Sequence, residues 1–279
     1  MNLASWLRAA ASQLQTNLSL DAAAARIEAR LLAATALQCD ITWLVAHGDA
    51  AADPDRLTPC LLRRLAGEPV AYILGQREFY GRPFRVSPAV LIPRPETEHL
   101  VDAALERLPR AASVLDLCTG SGCVAITLKR ERPDCTVTAT DLSQAALAIA
   151  QTNATALHAA VHFRHGDLFA PLAGERFAVI VSNPPYIAAA DTHLSQGDVR
   201  FEPRMALASG TEGLDLIRRL VSAAPDYLNP GGWLLFEHGF DQGTVCQEQL
   251  SQAGFRHIKT LPDWAGLARV TLGQKPNQP

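Results

Sequence analysis

The rhythm of apolar and polar positions changes twice along the chain. Over residues 1–66 it is helical. Leu3, Leu7 and Leu14 recur at helical spacing, and Asp21 stands where it would cap a second helix running through alanine-rich sequence to Leu37. Asp40-Ile41-Thr42-Trp43-Leu44 and Asp53-Pro54-Asp55-Arg56-Leu57 read as two further helix starts, the second with proline directly after its acidic cap. No strand pattern interrupts them, so a small helical bundle is expected. Residues 67–94 lose this period and are rich in Gly, Pro, aromatic and β-branched residues. They predict a linker with a short hairpin, Phe79 to Phe84 around Gly81 and then Val86 to Ile92. A helix is expected from Pro95, with Glu96 and Glu98 in the first turn, where the helix dipole favours acids.

From residue 113 onward short apolar runs alternate with helical segments. SVLDLC precedes GSGCVAITLKRE, CTVTATD precedes SQAALAIAQTNATAL, and a short strand near Val161 to Arg164 leads to Gly166-Asp167. FAVIVS, a helix over 213–228, WLLFEHG, and a tail with one more helix and two strands complete the series. This alternation predicts an α/β domain over residues 95–279 with a mainly parallel, doubly wound sheet.

Composition narrows the picture only a little. Hydrophobic residues make up 48% and charged residues 19% of the 279, so a packed core is expected rather than disorder. The net charge of −3 argues against a dedicated nucleic-acid binder, and residues 1–90 carry nine basic against eight acidic side chains, which is no basic face. The six cysteines form no CxxC pair, no basic-then-apolar leader opens the chain, and no apolar run approaches the roughly 18 residues of a membrane span. Reduced thiols in a cytoplasmic protein are expected. His162 and His165 lie three apart without nearby cysteines and are read as ordinary loop histidines, not as metal ligands.

Two stretches carry chemistry. Asp116-Leu117-Cys118-Thr119-Gly120-Ser121-Gly122 follows a strand and opens a helix, where Gly120 and Gly122 allow a tight turn and close approach of a ligand to the main chain. Asp141 ends the next strand, 19 residues after Gly122, placed to accept hydrogen bonds from a ribose diol. Asp167 and Phe169 end the third strand, within reach of an adenine. The spacing points to a nucleotide-like cofactor; with Ala125 at the third glycine position it does not by itself exclude a dinucleotide.

The second stretch is Asn183-Pro184-Pro185-Tyr186, directly after the apolar run Phe177–Val181. Two prolines cannot continue a strand, and they make a rigid corner. A planar nitrogen is a poor nucleophile because its lone pair is delocalised. The Asn183 side-chain oxygen and the Pro184 carbonyl can hold its two N–H groups and aim the lone pair at an electrophilic methyl, while Tyr186 offers a stacking face.

With these residues in view, the chain resembles the S-adenosylmethionine-dependent methyltransferases of class I, and most closely the bacterial peptide-chain release factor glutamine N5-methyltransferases. The likeness rests on GEPVAYILGQREFYGRPFRVSPAVLIPRPETE, DLCTGSGCVAI, VSNPPYI and GDVRFEPRMAL. It implies a seven-stranded Rossmann-like sheet and S-adenosylmethionine as cofactor. Cys118, Thr119, Gly120, Ser121, Gly122, Asp141, Phe169 and Asn183 would contact that cofactor. Asn183, Pro184, Pro185 and Tyr186 would contact the acceptor, with Asn183, Pro184 and Tyr186 catalytic. The acceptor would be the glutamine of a Gly-Gly-Gln loop in a class 1 release factor, docked with help from the helical bundle. Cys118 departs from the family, which usually has glycine there, and Phe169 stands where some relatives have Trp. Asn-Pro-Pro-Tyr also serves adenine and guanine amino-methylases, so a nucleic-acid acceptor and a non-enzymatic binding module are the competing readings.

Overall fold

The computed structural model describes residues 1–277. The chain forms two compact units, residues 1–76 with 196–201, and residues 77–195 with 202–279.

The first unit is helical: α1 (Leu3–Leu18), α2 (Ala22–Leu37), α3 (Ile41–Ala46), α4 (Pro54–Leu65) and α5 (Val70–Leu74). Each of the first four starts at a polar cap. Asn2 accepts from the Ser5 amide, Asp21 from Ala23 and Ala24, Asp40 from Trp43, and Asp53 from Asp55 and Arg56. The side chains of Leu3, Trp6, Leu14, Leu32, Leu44 and Leu57 fill its core. Residues 196–201 belong here through Arg64, almost wholly buried, which donates to Glu28 at 2.8 Å and to Asp198 at 2.9 Å. The sequence reading ended the helical part at residue 66. The short α5 instead continues it, bounded by Pro69 and by Gly75 at φ 70°; five residues between Pro and Gly carry too little periodicity to announce a helix.

The second unit opens with the hairpin β1 (Gln76–Phe79) and β2 (Arg82–Arg85), turning at Tyr80-Gly81 with the Phe79 and Phe84 rings edge-to-face at 6.0 Å. Its expected continuation from Val86 to Ile92 is absent: Ser87 and Val90 close a turn there, and Pro88 has no N–H for a ladder. After a 3-10 turn at Pro95–Thr97 come α6 (Glu98–Leu105), β3 (Ser113–Leu117), α7 (Cys123–Glu131), β4 (Thr136–Asp141), α8 (Gln144–Ala156), β5 (Val161–His165), β6 (Phe177–Ser182), α9 (Asp215–Tyr227), β7 (Leu228–Glu237), α10 (Gly243–Gln252), β8 (Arg256–Pro262) and β9 (Ala268–Gln274).

The seven strands lie in the order β5-β4-β3-β6-β7-β9-β8. β3 to β7 pair in parallel, while β9 runs antiparallel to both β7 and β8. Alternate side chains feed two cores, as the pleat requires. Val114, Val179 and Leu235 pack with α6 and α7 on one face; Leu115, Ile180, Leu234 and Phe236 pack with α9 and α10 on the other. The strand order reverses between β3 and β6, and a crevice outside the strand ends at such a reversal is the usual ligand site of an open α/β sheet.

Candidate active site

A cleft of about 320 Å³ lies at that reversal, walled by Thr119, Gly120, Asp141, Asp167, Asn183 and Arg94 among others. Its floor is the glycine loop between β3 and α7. Asp116, buried inside β3, accepts from the Thr119 hydroxyl at 2.6 Å and from the Ala125 amide at 3.2 Å, so the carboxylate draws the loop into a closed turn. Burial pushes its pKa up to about 7, against those hydrogen bonds. Gly120 (φ 56°) donates its amide to Asp141 Oδ2 at 2.8 Å, and Ser143 donates to Oδ1 at 2.8 Å. Each oxygen keeps lone-pair capacity for a further donor. A Cβ on Gly120 would meet nothing within 4 Å, so its face of the loop is open to a ligand.

The expected cofactor residues divide in two. Cys118, Thr119, Gly120, Ser121, Asp141 and Asn183 line the cleft. Gly122 does not. At φ 81° it caps α7, and a Cβ there would press on Ile126 at 2.9 Å and Ala150 at 3.1 Å, so its glycine serves helix packing. Phe169 does not line it either. Its ring is buried and stacks on Tyr227 at 4.4 Å, because the chain turns at Leu168 (φ 48°) after β5 and carries the next side chain into the core. The apolar walls are instead Leu142, Leu168 and Leu216. Cys118, at φ 60°, holds a conformation that suits glycine, and burial pushes its thiol pKa up, away from reactivity.

Asn183 and Pro185 face the cleft, and both prolines are trans. The Asn183 amide nitrogen donates to Thr97 Oγ1 at 3.0 Å, and Thr97 Oγ1 donates to Glu237 Oε2 at 2.6 Å. Tyr186 Oη donates to Glu237 Oε1 at 3.0 Å. Tyr186 is thus anchored behind the corner, its ring packed against the core, with the Glu237 carboxylate pushing its pKa further up beyond the effect of burial. Among the described residues no protein donor meets Asn183 Oδ1 or the Pro184 carbonyl.

Further side chains support the corner and the loop, of which Thr97 and Asn153 carry no expectation from the sequence. Thr97 lies between Glu96 and Glu98, acids that mark a helix start and give no sign of the threonine's part in the site. Glu202 is buried, accepts from the Ile92 amide at 2.9 Å and pairs with Arg94, which holds the turn before α6 against the cleft. Asn153 donates to Ser121 O at 2.8 Å and to Arg85 O at 3.1 Å, bracing the glycine loop from α8. A polar residue on an otherwise small, apolar helix face was the one available sign. Glu98 accepts from the Tyr80 amide at 2.7 Å and so serves the hairpin. His238 turns into the core, between Gly239 O at 2.8 Å and Thr271 Oγ1 at 2.7 Å, and burial lowers its pKa. No group of three His, Cys, Asp or Glu suited to a metal is gathered among the described residues.

This sheet order, with a glycine loop after the first parallel strand, an acid at the end of the second and Asn-Pro-Pro-Tyr after the fourth, defines a class I S-adenosylmethionine-dependent methyltransferase. The chain matches the methyltransferase small domain family over residues 97–200 and the PrmC N-terminal domain family over residues 5–75. It is 58% identical over 214 residues to the release factor glutamine methyltransferase of Neisseria gonorrhoeae, covering 76% of this chain and 78% of that protein. To the enzyme of the same name from Xylella fastidiosa it is 50% identical over 258 residues, covering 90% and 94%. The chain belongs to the release factor glutamine methyltransferase family. Its fold recurs in a methyltransferase from Pyrococcus furiosus (TM-score 0.56, 20% identity, 78% of this chain and 99% of that one). It recurs also in the T. thermophilus 16S rRNA N2 G1207 methyltransferase RsmC bound to AdoMet and guanosine (TM-score 0.54, 21% identity, 72% and 49%).

The residues present suit S-adenosylmethionine. An open glycine face, a part-buried carboxylate with spare lone pairs and leucine walls match, in turn, the amino-acid part, the ribose diol and the adenine of such a molecule.

Proposed function

We propose that the chain transfers the methyl group of S-adenosylmethionine to N5 of the glutamine in the Gly-Gly-Gln loop of a class 1 release factor. The observation that carries this reading is the pair of acceptors, Asn183 Oδ1 and the Pro184 carbonyl, which meet no protein donor among the described residues and sit on a corner stiffened by two prolines. A primary carboxamide nitrogen has two N–H groups to satisfy. The two acceptors take them, and the prolines fix their spacing before the substrate arrives, so little ordering entropy remains at reaction.

The cofactor, when bound, supplies an electrophilic methyl on a sulfonium. Thr119, Gly120 and Asp141 would hold it, the Asp141 carboxylate being suited to accept from a ribose diol. Asn183 and Pro184 present oxygens to the acceptor nitrogen, and as positive charge builds there both hydrogen bonds strengthen, which lowers the barrier rather than merely binding the substrate. Tyr186 and Pro185 shape the corner. The nitrogen becomes acidic only as it is methylated, so no base has to act first.

Removing the Asp141 carboxylate should weaken cofactor binding. Asp141→Ala loses a charged acceptor and frees the Gly120 amide, and S-adenosylmethionine affinity by calorimetry should fall about 10- to 100-fold. An unchanged affinity would take Asp141 out of the site.

The assignment is tested by incubating the purified protein with labelled S-adenosylmethionine and a release factor, in parallel with the same factor carrying a changed loop glutamine. Label should enter the first and not the second. Label that persists on the changed factor refutes the acceptor. An adenine amino group would suit the same two oxygens, and methyl incorporation into naked DNA or RNA at the release-factor rate would replace this reading. A release factor as partner supports a cytoplasmic location; no described helix is long and apolar enough to cross a membrane.

A further inference from the structure

A primary carboxamide has nearly the same shape whichever way its oxygen and nitrogen point. Asn183 serves as an acceptor only in one of the two orientations. Turned over, it would present N–H groups to the N–H groups of a substrate amide. We infer that Glu237, acting through Thr97, is the positioning residue that selects the accepting orientation of Asn183, and that through Tyr186 it anchors the far end of the same corner. This rests on the reading of Asn183 as the clamp for the acceptor nitrogen.

The number of protons available sets the direction of each bond. Glu237 lies at the end of β7 and is 1% exposed; Thr97, at the start of α6, is 2% exposed, so no bulk water competes. In its ionised form, which the two hydroxyl donors favour, the carboxylate only accepts. Its Oε2 therefore takes the Thr97 hydroxyl proton across 2.6 Å, and its Oε1 takes the Tyr186 proton across 3.0 Å. A hydroxyl has one proton to give. With it directed at Glu237, Thr97 Oγ1 faces Asn183 as an acceptor, 3.0 Å from Nδ2. Asn183 must then offer its NH2 group to Thr97, which turns Oδ1 the other way. The sense of hydrogen bonding runs in one direction from a buried charge to the corner, and an off-register amide would meet an oxygen with its own oxygen. Burial raises the Glu237 pKa, with Glu96 adding to it, against the hydroxyl donors of Thr97 and Tyr186 and the charge of Arg269, itself paired with Asp263; Arg94 faces Tyr186. Two hydroxyl donors on one carboxylate add to the ionised state.

The test compares Thr97→Val, which keeps the shape and removes the hydroxyl, with Thr97→Ser, which keeps the hydroxyl. On the release factor, kcat should fall about 10- to 100-fold in the valine variant and stay within about threefold in the serine variant, with S-adenosylmethionine affinity unchanged in both. A second readout needs no acceptor. The Asn183 side-chain amide protons, identified in nitrogen-15 NMR spectra by their loss in Asn183→Ala, should exchange slowly with solvent in the wild type and in Thr97→Ser. They should exchange at least about tenfold faster in Thr97→Val. Wild-type kcat and exchange in the valine variant would overturn the inference. So would equal kcat losses in both variants with matching drops in melting temperature, the mark of simple packing. If the wild type leaves the release factor unlabelled, the acceptor assignment fails, and the exchange comparison alone still decides whether the relay exists.

Discussion

Asn183→Ala should lower methyl transfer to a release factor by about 10²-fold or more while S-adenosylmethionine affinity changes far less. The substitution removes Oδ1, one of two acceptors aimed where charge grows on the reacting nitrogen, and it leaves the strand, both prolines and the glycine loop in place. An interaction that strengthens in the transition state is lost from kcat, whereas one made equally to bound substrate is lost from KM. The measurement is therefore single-turnover methyl incorporation at saturating factor, with calorimetry for the cofactor. Turnover near the wild-type value would remove Asn183 from the chemistry. The Thr97 hydroxyl also loses its neighbour in this variant, but it keeps Glu237 as an acceptor, so the fold should lose no more than about 1 kcal/mol.

Gly213→Ala should damage both stability and turnover, although Gly213 lies far along the chain from either motif. Its φ is 76°, and a Cβ there would overlap the main-chain carbonyl oxygen of Tyr186, which the Gln242 side chain also holds at 2.9 Å. Neither partner can yield cheaply, because the one is backbone of the proline corner and the other is the turn into α9. A destabilisation of about 2–4 kcal/mol in denaturant titration is expected, combining backbone strain with overpacking, together with a fall in kcat as the corner is displaced. Gly174→Ala provides the comparison: its φ is 82°, yet a Cβ there meets nothing within 4 Å, so only strain of about 1 kcal/mol should appear. If the two variants lose the same stability, the contact with Tyr186 has no energetic weight.

How much of this was legible beforehand differs element by element. Strands β3 and β6 were plain because each is a short, mostly apolar run directly followed by a turn motif, the glycine loop after Leu117 and Asn-Pro-Pro-Tyr after Ser182. The caps Asp21, Asp40 and Asp53 were plain because a helix start depends on neighbours within three residues. The tail was read as two strands, but a sequence does not say that β9 inserts between β7 and β8. Where the structure departs from the sequence expectation, long-range context is the cause. Val86 to Ile92 has the composition of a strand but joins neither sheet among the described residues. Phe169 has the aromatic character for an adenine, but the backbone turn at Leu168 sends it inward to Tyr227.

By itself the sequence determined the order of helices and strands, the glycine loop after β3, the acid at Asp141 and the rigid Asn-Pro-Pro-Tyr corner. All of these depend on the residues themselves and on close neighbours. Tertiary structure alone decided which side chains reach the cleft, and that Glu237 and Thr97 meet Asn183 and Tyr186 across 140, 86 and 51 positions of chain. Those contacts arise when the sheet brings distant strand ends together, and the direction of a hydrogen bond follows from which partners folding has buried beside it.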